Sequence, residues 1–493
     1  MQETALTDPS PKANRFARTR ALPTIALCAL IYASTLAVGY HINAAVLTIL
    51  SMIVLCLLRI PVAIALISAA MLGALHAGLS MNDAIGAFND NLLVGAQVGL
   101  TYVMIGAFAV ALSRSGLLEL LADAISARLG SDEQSTRKGV KWSLFGLFIV
   151  ASLMSQNLVP VHIAFIPILL PPLLVVLDRL RVDRRAVACI LACSISASYL
   201  LLPTGFGAIF LNEILLANVN SVGADYGLTA TADMAPKAMA LPVLGLVAGL
   251  LVAVFISYRR PRDYVTPSTT TTTTTTTVAT RPASPARLKP LQLVITLGAL
   301  AVALVFQLKF DSLLLGAMVG FLILGVSGIF RWQEQDDVFT DGLRMMAQIA
   351  VIITVASGFA GVLTATGEIE PLVAASAELI GGNMALGAAV MLVVGLFITI
   401  GFGDSFASVP ILASIYLPLA LTLGFDPLAA MALLGASAAL GDAGSPASTI
   451  TLGATAGLNA DGQHDHIRDS VIPTFLHCNI GMLVFAWIAA MVL

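Results

Sequence analysis

Long apolar runs dominate the chain, and polar positions collect in short stretches between them. A helix needs about 17–25 apolar residues to cross a bilayer core. Runs of that length can be read at 21–40, 42–58, 61–78, 91–112, 186–218, 237–257, 291–309, 311–330, 345–365, 427–457 and 471–493. Two other apolar stretches, 141–177 and 383–424, are too long for a single span, and each carries polar residues and a proline in its middle. The pattern predicts an all-α polytopic membrane protein of about 11 transmembrane helices plus two re-entrant hairpins, with tips at 155–157 and 404–408.

Composition agrees. Hydrophobic residues make up 58% of the 493 residues and charged residues 11%, against about 25% in a soluble domain. Residues 1–20 form a polar tail without a signal-peptide core, expected in the cytoplasm. Residues 258–290 hold nine consecutive threonines at 269–277, flanked by prolines and basic residues, and read as a disordered linker. The linker separates a membrane half at 21–257, containing hairpin 141–177, from one at 291–493, containing hairpin 383–424. Cys28, Cys56, Cys189, Cys193 and Cys478 all lie in apolar runs and read as small core residues.

The halves share their breakers. Gly116 answers to Gly367, Ser155 to Ser405, Pro160 to Pro410, and Asp183 to Asp426. Ser194 then falls on Ser437, and Pro203 on Pro446, without a gap. The loop 178–185 contains four arginines, whereas its counterpart at 424–427 has no basic residue. The region 113–140 carries Arg128, Arg137 and Lys138, whereas its counterpart 366–382 is acidic, through Glu368, Glu370 and Glu378, and has no Lys or Arg. Basic loops stay in the cytoplasm, so the repeat is expected to be inverted, with the N-terminus inside the cytoplasmic (inner) membrane of a bacterium.

An interrupted backbone at membrane depth is tolerated only where protein or a wet cavity receives its polar groups. Beyond the two tips, the breaks LLPTGFG (201–207) and GDAGSPAS (441–448) interrupt one spanning helix in each half. Two tips and two breaks meeting near the midplane would make a cation or substrate site, as in transporters built from broken helices. Asp404 and Asp442 would supply its charge; Ser155, Gln156, Asn157, Thr204, Ser405, Ser408, Ser445 and Ser448 would supply neutral oxygens. Asp404 also suits the N-cap of its hairpin arm. His162 reads either as a proton-coupling group or as a satisfied core histidine, and Glu213 as pore-lining or interfacial. His477 reads as packing. The loop 459–469, NADGQHDHIRD, has ligand residue types but no standard metal spacing, and reads as solvated. Residues 116–128 read as an interfacial helix.

The stretches SQNLVPVHIAFIPILLPPLL, DRRAVAC, LLPTGFG and the pair GFGDSFASVP/GDAGSPAS resemble the bacterial Na+/H+ antiporter family of the NhaC-like kind. The nearer likeness is to its branch of proposed amino-acid permeases, within the ion-transporter superfamily. The resemblance covers roughly residues 40–493 without the linker. It implies inverted repeats with two re-entrant hairpins, a homodimer, and elevator-like movement of the hairpin domain. The Ser-Asn-Thr motifs of the superfamily's dicarboxylate carriers are absent.

The expected function is therefore secondary transport of the Na+/H+ antiporter type. The alternative is a Na+- or H+-coupled permease for an amino acid or other small organic solute. No cofactor is expected beyond Na+ and H+ as coupling ions; the expected partners are the lipid bilayer and a small ion or solute, with no nucleic acid. No nucleophile–base pair, nucleotide loop or metal motif points to an enzyme.

Overall fold

The computed structural model describes residues 41–58, 60–117, 137–157, 166, 170, 173–174, 176–264, 290–310, 312–402, 404–446 and 448–493. The tail and span of 1–40, most of the 116–128 segment, His162 and the threonine run lie outside them.

The described chain is helical. Before the linker come α1 (Ala44–Leu57), α2 (Val62–His76), α3 (Met81–Asp90), α4 (Leu92–Arg114), α5 (Arg137–Asn157), α6 (Arg184–Leu201), α7 (Phe206–Tyr226) and α8 (Met234–Ser257). After it come α9 (Pro290–Phe310), α10 (Leu313–Val326), α11 (Gln335–Ala365), α12 (Ile369–Ile380), α13 (Met384–Phe402), α14 (Ser405–Thr422), α15 (Pro427–Ala439), α16 (Thr449–Leu458) and α17 (His466–Val492). Nine helices among the described residues are long and apolar enough to cross a membrane. Among the described residues both sets begin with two apolar helices, include one long helix (α4, α11), and end with a broken helix and a final span.

The helices sort into two groups by packing. One is built from α1–α4 with α9–α11, with α4 lying along α11. Small residues permit that approach: a Cβ on Gly106 would stand 2.5 Å from the Gly342 carbonyl oxygen. The other group is built from α5–α8 with α13–α17. Here α8 and α17 cross at Gly245 and Gly481, where a Cβ on either would lie 2.3 Å from the other's carbonyl oxygen. In the second group α6, α14 and α15 are buried almost along their full lengths. A helix apolar all round belongs inside the protein rather than against lipid.

The backbone breaks have local causes. Leu202 and Pro203 stop α6, and Gly205, at φ 58°, turns the chain into α7. The turn closes with Thr204 N–H donating to Leu202 O and Gly207 N–H to Thr204 O. A Cβ on Gly205 would meet Gln156 O at 2.1 Å, so the first hairpin tip lies directly on this break. In the second half Asp404 ends the turn from α13 and caps α14, and Asp442 sits in the turns between α15 and α16.

One end of the bundle holds the loops 178–185, 258–264 and 459–469, tied together by charge. Arg184, 0% exposed, donates to Asp178 at 2.9 Å, to Asp461 at 2.6 Å and to the Leu458 carbonyl at 2.9 Å. Its backbone N–H donates to Tyr264 Oη, and its guanidinium covers the Tyr264 ring. Arg181 pairs with Asp263, and Arg262 with Asp469. Most of the loop 459–469 is exposed, as its polar composition suggests, but two of its side chains are not. Asp469 is buried, and His464 is 1% exposed with its Nε2 against Ser470 Oγ at 2.8 Å. The ion pair with Arg262 makes burial of Asp469 tolerable, and Arg184 holds Asp461 of the same loop. No metal-binding cluster occurs among the described residues. His477 packs within the bundle, through the Pro473 carbonyl and Ser257 Oγ.

Two outcomes are expected. Gly205→Ala forces a side chain into the tip backbone at a left-handed φ, so membrane insertion should persist while reconstituted transport falls at least about tenfold, a loss equivalent to 1.4 kcal/mol. Burial pushes His464 down to about 4, against about 6.5 unfolded. Neutral His464 then adds stability above pH 6.5, and that contribution is lost as pH falls from 6.5 through 4. Thermal unfolding in detergent should show that acid loss, and His464→Gln should flatten it.

Candidate functional site

The two tips and the two breaks meet in one place. Around it Tyr102 (α4), Gln156 (end of α5), Tyr199 (α6), Phe206 (α7), Met346 and Ile349 (α11), Asp404 and Phe406 (second tip), Asp442 (second break) and Thr449 and Ile450 (α16) line a cavity of about 40 Å³. Both helix groups contribute walls. A water needs roughly 10–15 Å³ of such space, so the cavity holds about three waters, or a small cation with part of its hydration shell.

Asp442 dominates the polar wall. It is 6% exposed. Its Oδ2 accepts from Tyr199 Oη at 2.5 Å and from Ser405 Oγ at 2.6 Å, and its Oδ1 accepts from the Ser405 backbone N–H at 3.1 Å. Ser405 Oγ also lies 3.1 Å from Tyr199 Oη. Asp404 Oδ1 accepts from Phe406 N–H at 2.9 Å and from Ala407 N–H at 3.3 Å. The positive end of the α14 dipole favours a carboxylate there. Among the described residues neither carboxylate pairs with a Lys, Arg or His side chain. Two acids separated by Ser405 thus share a small cavity with hydroxyl and amide donors but no counter-cation.

Phe406 holds the second tip in place. Its ring lies 5.4 Å from Tyr102, 5.5 Å from Tyr199 and 5.4 Å from Phe210, centroid to centroid. Such clusters add packing energy beyond area burial.

The remaining candidates take other positions. Asn157 latches the first tip to the first break: its Nδ2 donates to Ser198 Oγ at 2.6 Å, and its Oδ1 accepts from Thr204 Oγ1 at 2.5 Å. Ser155 is buried and donates to Ser152 O. Ser408 donates to Asp404 O, Ser445 to Ile400 O, and Ser448 to Asp442 O. These hydroxyls brace the interrupted backbone, and Ser448 also caps α16. Glu213, on α7, is half-buried and within electrostatic reach of Tyr102.

The sequence reading missed Tyr102 and Tyr199. Tyr199 stands one turn before the LLPTGFG break among alanines and serines, an available signal. Nothing local marks Tyr102, which reaches the site only because α4 packs on α11.

The sequence profile of the Na+/H+ antiporter family matches residues 194–487, and that of a second Na+-H+ antiporter family matches residues 43–129. An uncharacterised membrane protein of Vibrio parahaemolyticus is 47% identical over 92% of this chain and 100% of its own length. YuiF of Bacillus subtilis, whose name proposes amino acid transport, is 44% identical over 92% of this chain and 100% of its own. Among solved structures, the YdaH transporter of Alcanivorax borkumensis superposes with a TM-score of 0.52 at 16% identity, covering 82% of this chain and 86% of its own, a likeness of fold alone. The broken helices, the multi-pass apolar bundle and these matches together show that the chain belongs to the Na+/H+ antiporter family, as a membrane-embedded secondary transporter.

Proposed function

We propose that the protein exchanges Na+ for H+ at the Asp404–Asp442 cavity. The observation that carries this reading is the carboxylate pair, without a counter-cation among the described residues, in a space of about 40 Å³. Ionised carboxylates in a low-dielectric setting need a compensating charge, and a cation or a proton can supply it in turn. Competition of the two for one charged site gives exchange. On this reading Asp442 is where Na+ and H+ compete, and Asp404 shares the charge. The shared succession of apolar helices, long helix, broken helix and final span before and after the linker supports a repeat, and the contrast between the basic loop 178–185 and the acidic region 366–382 supports its inversion. The basic loops support a bacterial inner-membrane location with the N-terminus in the cytoplasm.

Coupled uptake of an amino acid is the second reading, favoured by the name of the B. subtilis relative. The size of the cavity and the engagement of Ser408, Ser445 and Ser448 with backbone carbonyls count against it in this conformation.

Purified protein in liposomes with an internal pH dye separates the two. A Na+ gradient alone should move protons, and Asp404→Asn or Asp442→Asn should reduce that movement at least about tenfold while the protein still inserts. Proton movement unchanged in both variants would end the carboxylate-exchange reading. Silence on Na+, with Na+- or H+-dependent uptake of a labelled amino acid, would establish the permease.

A further inference from the structure

In α9 the apolar run ALAVALVF (299–306) ends on an amide, Gln307. Ala303 and Leu304 lie one turn before it on the same helix face. Together they wall a second cavity, of about 10 Å³, completed by apolar residues of α4 and α10 and by Asn157 and Gly205. Gln307 is 5% exposed, and its Nε2 has no hydrogen-bond acceptor among the described residues. A buried amide donor without an acceptor is costly in so apolar a setting.

The first hairpin tip serves both cavities. Gln156 lines the one that holds the acids, and its neighbour Asn157 lines this one. α4 likewise passes both, with Tyr102 on the first and Phe108 on the second. The second cavity therefore lies between the two helix groups, where α9 and α10 face the first tip and the first break. Tip and break are in close contact there: a Cβ on Gly205 would stand 3.0 Å from the Asn157 carbonyl oxygen.

We infer that this cavity is a binding site for one water molecule, which accepts a hydrogen bond from Gln307 Nε2 and bridges it to the first tip and break. Size and chemistry both select water. A space of about 10 Å³ matches the roughly 10–15 Å³ that one water needs and is too small for an organic solute. An N–H donor calls for an acceptor and repels a cation. The lining carries no charged side chain to hold an anion. Asn157 and Gly205 bring carbonyl oxygens that can take the hydrogens of the water. Asn157 Oδ1 already accepts from Thr204 Oγ1, and a carbonyl oxygen has a second lone pair. The bridge joins the first helix group to the tip of the second, so Gln307 is a positioning residue for that tip. The inference is independent of what the two acids bind.

The experiment is a structure of the purified protein in nanodiscs, at a resolution that shows ordered water, in NaCl and again in choline chloride. Hydrogen exchange read by mass spectrometry accompanies it, on wild type and on Gln307→Met, which keeps the length and removes the donor. A density peak at hydrogen-bond distance from Gln307 Nε2 and from an oxygen of Asn157 or Gly205 is expected in both salts. Gln307→Met should lose the peak. Its amide exchange in peptides 150–157 and 202–208 should quicken about two- to tenfold, the scale of one net hydrogen bond, while α15 exchanges as in wild type. Three results would overturn the inference: no peak in the cavity, a peak in NaCl that vanishes in choline chloride and so belongs to a cation, or tip exchange unchanged in Gln307→Met. If that variant does not fold, the wild-type peak and its indifference to Na+ decide alone.

Discussion

A backbone interrupted inside a bilayer has no water to satisfy it, and the second helix group is organised around that constraint. Each break exposes amide and carbonyl groups that lipid cannot receive. The structure answers with short side chains. Ser408, Ser445 and Ser448 donate to carbonyls at the second tip and break, and Asp404 accepts the free N–H groups at the start of α14. The density of serine and glycine in these stretches is thus first a solution to a hydrogen-bonding problem.

The same solution creates the chemistry. Once the backbone is satisfied locally, the carboxylate of Asp442 is left, among the described residues, with hydroxyl and amide donors and with no arginine or lysine beside it. The arginines of 178–185 are held at the end of the bundle, where Arg184 binds Asp178 and Asp461. Charge is paired at the end and unpaired in the middle.

Packing decides how the two regions communicate. The tip at Asn157 is pinned to Ser198 and Thr204, and Ser198 adjoins Tyr199, which reaches Asp442. Residues of both halves therefore share one polar network. Within each group, close crossings at Gly106 with Gly342 and at Gly245 with Gly481 bring helices to distances that larger side chains would prevent.

The sequence alone determined that the protein is a polytopic helical bundle, where its helices break, and that Asp404 and Asp442 mark the breaks. Those features are local: run length, proline, glycine and buried charge all act within a few residues. The loop 459–469 shows the limit. Its polar composition reads as solvated and most of it is exposed, yet His464 and Asp469 within it are buried, and Asp461 is held by Arg184, far away in sequence. Only tertiary structure decided that Tyr102 and Tyr199 face the acids, that the serines serve carbonyls, and that the cavity has the size of an ion. Those properties depend on which helices pack together, and no pattern within a single helix encodes its distant partner.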